Sequence, residues 1–136
     1  MDKIKKIPIK RIHNPKGDIF PFLKKSDDFF QQFGEAYFST VKKNEIKGWK
    51  KHTVMQLNIT VISGEILFVI YHEINREFEE CLLSRENYCK LIIPSGNWVA
   101  FKGLGNDNVL LNIANVEHDP TEAINLGINE INYDWS

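Results

Sequence analysis

The chain has 136 residues, 43% apolar and 26% charged, which suits one compact domain with a genuine hydrophobic core over residues 1–136. With 17 basic and 18 acidic residues the net charge is −1, so no global field favours nucleic acid or a membrane surface as partner. No apolar run approaches the ~18 residues of a membrane span, and the charged start does not resemble a signal peptide.

The N-terminus carries Lys3, Lys5, Lys6, Lys10 and Arg11, interrupted by Ile4, Ile7 and Ile9. This pattern predicts a charged edge strand within residues 1–12, or a strand exchanged with a second copy. Asn14-Pro15-Lys16-Gly17-Asp18 is turn chemistry, and His13 beside it reads as a surface turn residue. Ser26 would cap a short helical turn over 27–33. Strand composition then dominates: 36–41, 54–61, 65–71, 90–93, 97–101 and 109–113 are rich in β-branched and aromatic residues. Ser63-Gly64, Pro94-Ser95-Gly96 and Gly103 through Asp107 separate them as turns. Asp119-Pro120-Thr121-Glu122 predicts a second short helix, with His118-Asp119 as its cap. Many short strands at near-regular spacing indicate a sandwich or barrel. Cys81 and Cys89 have no metal-ligand spacing, so a reduced cytoplasmic protein is expected.

The most informative stretch runs from Ile46 to Asn58, IKGWKKHTVMQLN. Strand alternation would put Lys50, His52, Gln56, Asn58 and Thr60 on one face, and Met55, Leu57, Ile59 and Val61 on the other. Two readings fit this pattern. The polar face is simply exposed, or it lines a ligand-binding barrel in which hydrogen-bonding groups orient a sugar.

The order of motifs resembles the dTDP-4-dehydrorhamnose 3,5-epimerase family and its cupin relatives, the dTDP-sugar 3,4-ketoisomerases. It is carried by Lys47-Gly48-Trp49-Lys50 opening a central strand, Ser63-Gly64, Leu83-Ser84, Leu91 through Trp98, and a closing Ile131-Asn132-Tyr133-Asp134-Trp135. Pro15 through Phe20 resembles a turn that helps hold the nucleotide. The resemblance spans nearly the whole chain. It implies an all-β double-stranded β-helix (cupin, jelly roll) with short helical turns, and a homodimer formed through strand exchange.

The departures from the epimerase pattern narrow what the resemblance implies. Lys50 stands where the epimerases have a His base, Leu111 near their Tyr acid, Val99 where a His is common, and Lys47 in place of an Arg. The ketoisomerase pattern fits better in part, because the second His of its His-x-His matches His52 and a Tyr one strand earlier matches Tyr37 or lies one residue from it. A ketone at C4 acidifies the neighbouring C–H bonds, so the chemistry needs a base and donors for the developing oxyanion. The resemblance thus implies His52 as base or relay, Tyr37 as its proton-transfer partner, and Lys50 with Lys47 at phosphate or the keto oxygen. A Lys would need desolvation or a neighbouring cation to act as base, and Lys51 would be that neighbour. Gln56 and Asn58 would orient the sugar, and Phe20 and Trp98 would stack on base or sugar.

The metal-binding cupins' His-x-His, Glu and later His reduce here to His52, with Gln56 and Val99 at the other places. No metal and no cofactor are therefore expected. The expected function is a sugar-nucleotide epimerase or ketoisomerase of cell-surface polysaccharide biosynthesis, with a nucleotide-linked sugar as partner. A cupin that binds such a ligand without turnover, or a structural partner of a biosynthetic enzyme, are the alternatives.

Overall fold

A computed structural model describes residues 3–136. The part of the N-terminal expectation that falls on residues 1–2 lies outside the described residues. The strands in chain order are β1 (Lys5–Pro8), β2 (Glu35–Lys42), β3 (Ile46–His52), β4 (Leu57–Ser63), β5 (Glu65–His72), β6 (Glu77–Ser84), β7 (Cys89–Ile93), β8 (Trp98–Gly103), β9 (Asp107–Ala114) and β10 (Ala123–Asn125). They form two five-stranded sheets, ordered β1-β7-β4-β9-β2 and β10-β3-β8-β5-β6, with every strand pair antiparallel. Stacked face to face, they make the jelly roll expected of the sequence.

Alternation within each strand builds the core. From the first sheet Leu57, Ile59, Val61, Leu91, Ile93 and Leu110 point inward; from the second, Ile66, Phe68, Ile70, Cys81, Leu83 and Val99 meet them. The outer face of the second sheet is closed by the C-terminal segment, whose Leu126, Ile128, Ile131, Tyr133 and Trp135 cover Trp49, Val69, Trp98 and Ala100. The outer face of the first sheet is covered in part by the segment before β2. There buried Lys90 pairs with Asp27 at 2.9 Å, and the Lys24 N–H and the Lys90 ammonium hold the Asp27 carboxyl below its usual range.

Three expectations change. Residues 25–29 make turns and bends and 30–33 have no regular structure, while Asp119 to Glu122 form a turn leading into β10. The one helical element among the described residues is a 3-10 turn at Ile128–Glu130. The expected strand over 54–61 is broken at its start. Residues 53–56 are a corner at which the chain leaves the second sheet for the first, so alternation cannot be counted from Lys50 through to Thr60. Within residues 3–12, Lys5–Pro8 form β1, which pairs antiparallel with β7 at the edge of the first sheet.

A second irregularity sits inside β3. Lys47 pairs with Phe101 and Lys50 with Val99, so three steps on β3 match two on β8. This bulge puts Lys47, Lys50 and His52 on the same side of the sheet, which strict alternation forbids. Gly48 occupies it with φ +139°, and a Cβ there would lie 2.5 Å from the Ala100 Cβ. Gly48→Ala is therefore expected to cost about 1–3 kcal/mol through overpacking and strain. A fall of several degrees in thermal melting would show it, and an unchanged Tm would mean that the close approach of β3 to β8 is not required.

Candidate functional site

The sandwich is filled with aliphatic side chains at the β1–β6 end and opens between β2 and β3. The opening is a cavity of about 710 Å³ lined from the first sheet by Glu35, Tyr37 and Ser39 of β2, Leu57 and Ile59 of β4, and Leu110 and Asn112 of β9. The second sheet supplies Lys47, Lys50, His52, Val99 and Phe101, with Met55 at the corner and His118 and Asn125 from the C-terminal part. Its floor is aliphatic and aromatic, while the polar groups come from β2, β3 and β9.

His52, the last residue of β3, is held from behind. Its Nδ1 lies 2.7 Å from Glu122 Oε1, while the other carboxylate oxygen accepts the backbone N–H of Val54 at 2.9 Å and of Met55 at 3.0 Å. Burial acts to raise the Glu122 carboxyl, but the Met55 N–H, the His52 ring and the Val54 N–H outweigh it and hold it at about 2. The ionised carboxylate fixes the ring with Nδ1–H towards Glu122. Nε2, with no protein partner among the described residues, is then left to accept a proton.

Tyr37 stands on β2, its hydroxyl accepting a hydrogen bond from Asn112 Nδ2 at 2.9 Å. Lys47 Nζ lies 3.4 Å from Ser39 Oγ, bridging the two sheets across the cavity. Four of the eight expected site residues, Tyr37, Lys47, Lys50 and His52, thus line one cavity.

The other four do not. Gln56 is the last residue of the corner and Asn58 lies beyond it, on the outer face of the first sheet. Gln56 Nε2 donates to Phe29 O and Asn58 Nδ2 to Ile113 O, so both complete buried backbone hydrogen bonding. Trp98 faces outward in the C-terminal cluster, its Nε1 donating to Glu73 Oε2 at 3.1 Å. Phe20 stacks edge-on against Tyr88 at 5.2 Å, with the Arg85 and Arg11 guanidiniums at 5.0 and 5.6 Å from its ring. Lys51 is also turned away from Lys50: it pairs with Glu73 at 3.0 Å and lies over the Trp98 ring. It is not the neighbouring cation that a basic Lys50 would need.

Glu122, Asn112, Glu35 and His118 were not legible as site residues. Glu122 reads locally as the first turn of a helix, and its bond to His52 spans 70 residues. Asn112 carried a usable signal, because it is the one polar residue in the apolar run 109–113. Leu111, aligned with the epimerase acid, pairs with Phe38 and Thr60, whereas its neighbours Leu110 and Asn112 line the cavity. Among the described residues no group of three or more His, Cys, Asp or Glu is arranged to hold a metal ion.

No protein-family model and no curated sequence matches the chain. Solved structures do. A dTDP sugar isomerase from Desulfovibrio desulfuricans G20 is 26% identical, covers 97% of this chain and 90% of its own, and superposes with a TM-score of 0.91. QdtA, a sugar 3,4-ketoisomerase from Thermoanaerobacterium thermosaccharolyticum in complex with TDP, is 22% identical over 89% of this chain and 86% of its own, with a TM-score of 0.78. The dTDP-6-deoxy-D-glucose-3,5-epimerase RmlC from Legionella pneumophila Philadelphia 1, in complex with dTDP-4-keto-L-rhamnose, is 17% identical over 95% and 75%, with a TM-score of 0.83. The chain has the cupin fold of these sugar-nucleotide isomerases and epimerases.

The Glu122 carboxyl titrates at about 2 in the folded chain against an ordinary 4.5. Because the folded value is the lower, its stabilisation is present above about pH 4.5 and is lost as the pH falls towards 2. Glu122→Gln should lower unfolding stability near pH 6 by about 1–3 kcal/mol, with the difference closing in acid. Urea denaturation at both pH values checks this; equal stability near pH 6 would show that the carboxylate holds nothing together.

Proposed function

We propose that the protein is a sugar-nucleotide isomerase that abstracts a proton next to the ketone of a 4-keto-deoxy sugar, with keto migration between C4 and C3 the favoured outcome. The observation that carries this reading is the Glu122-backed His52 facing the same cavity as Tyr37, Lys47 and Lys50. The cupin fold shared with the ketoisomerase and epimerases supports it.

The chemistry follows from what each group can do. His52 Nε2 takes the C3 proton, and the C–H electrons move into an enolate. The ring becomes imidazolium, and Glu122 stabilises that charge through Nδ1–H. Lys50 and Lys47 supply positive charge for the enolate oxygen or for the phosphates. A proton returned at C4, with the C3 hydroxyl proton passing to the C4 oxygen, moves the ketone to C3, whereas one returned to the opposite face of C3 inverts that centre. Tyr37 is the donor or relay for the returning proton. The apolar floor of Leu57, Ile59, Val99, Phe101 and Leu110 suits the deoxygenated side of the sugar.

A cytoplasmic location is part of this proposal, supported by two buried free thiols, Cys81 and Cys89. So is a role in cell-surface polysaccharide biosynthesis. No helix among the described residues is long and apolar enough to cross a membrane. A homodimer is also proposed, and light scattering should give twice the chain mass; a monodisperse monomer would contradict it.

Solvent-deuterium incorporation into a panel of dTDP-4-keto-deoxy sugars tests the reaction. The protein should exchange at least one, with His52→Ala and Tyr37→Phe reducing the rate by about 100-fold or more and Lys50→Ala by more than about tenfold. Binding without exchange would replace the enzyme reading with that of a non-catalytic sugar-nucleotide binder.

A further inference from the structure

Asn112 is 1% exposed, in the middle of β9, and its register neighbours are Tyr37 on β2 and Ile59 on β4. Its side-chain oxygen accepts the backbone N–H of Asn58 at 3.0 Å. A backbone N–H can only donate, so this bond fixes which end of the amide is oxygen. The NH2 group is thereby directed at Tyr37, whose hydroxyl oxygen it reaches at 2.9 Å. A phenol oxygen that receives a fixed donor must send its own hydrogen elsewhere. The side on offer is the cavity, which both residues line.

We propose that Asn112 is a positioning residue that locks the Tyr37 hydroxyl as a hydrogen-bond donor into the cavity and supports the phenolate left when that proton is transferred. This rests on the isomerase reading above. In the step concerned the Tyr37 O–H bond breaks and its proton passes to the enolate. The electron pair remains on the phenol oxygen, where the amide N–H of Asn112 is already in place and need not reorganise. A carboxylate at this position would still accept the Asn58 N–H, but it would draw the Tyr37 hydrogen onto itself and away from the ligand.

Asn112→Asp is therefore the discriminating, nearly isosteric change. Ultraviolet resonance Raman spectra, with Tyr37→Phe subtracted to isolate the residue, report through the tyrosine Fermi doublet whether a hydroxyl donates or accepts. The doublet of Tyr37 should change to that of a strong donor in Asn112→Asp, and kcat for exchange should fall more than about tenfold with KM within about twofold. A folded Asn112→Asp protein with an unchanged doublet, or with unchanged kcat, would overturn the proposal. Should that variant not fold, Tyr37→Phe offers a second measurement. The side-chain amide proton resonance of Asn112 should move when the hydroxyl is removed, and a resonance that stays in place would overturn the proposal equally. Neither spectrum needs a sugar. A shifted doublet with no exchange by the parent protein would support the positioning while overturning the assigned reaction.

Discussion

The structure depends on how the chain turns its corner between the two sheets. Residues 53–56 leave the β3 ladder before they join that of β4, so four consecutive backbone N–H groups lose their usual partners. Each is supplied with an acceptor from a distant part of the chain. Glu122 O takes the Thr53 N–H, the Glu122 carboxylate takes those of Val54 and Met55, and Asn115 Oδ1 takes that of Gln56. At buried Met55 and Gln56 an unpaired N–H would cost on the order of 1–3 kcal/mol, so the segment after β9 is part of the corner itself. The same carboxylate that closes the corner also orients His52. Fold and chemistry therefore share one group.

The cavity follows from a second local irregularity. Without the bulge at Gly48, Lys47 would face away from Lys50 and His52 and the opening would have one cation fewer. The bulge is possible because Gly48 meets Ala100 with no side chain between them. Facing this strand, β2 and β9 supply Tyr37 and Asn112, and the aliphatic core behind them excludes water from one side only. The result is an asymmetric chamber: a histidine, a tyrosine and two lysines on the walls, hydrocarbon at the base.

Strand composition located β5, β8 and β9 well, because each is a mostly apolar run bounded by turn residues. The fold class followed from their number and spacing. The candidate site was legible only in part. Lys50 and His52 are two apart on one strand, where period-2 alternation holds. Gln56 and Asn58 were misplaced because the same count was carried across a corner that no Gly or Pro marks; Thr53 and Val54 are ordinary strand residues. Trp98 was misplaced because an aromatic beside a turn gives no sign of which sheet face it occupies, and here the C-terminal Leu126, Ile128 and Ile131 make the outer face the apolar one. Glu122 was hidden by distance along the chain, since pairing across 70 residues leaves no periodic trace.

Glu122 holds His52 with Nδ1 protonated, leaving Nε2 free to take a proton within the cavity. Nitrogen-15 NMR of histidine-labelled protein tests it directly, at a pH where the ring is neutral. His52 should be present as the Nδ1–H tautomer, and this preference should be lost in Glu122→Gln. A dominant Nε2–H tautomer of His52 in the parent protein would contradict it.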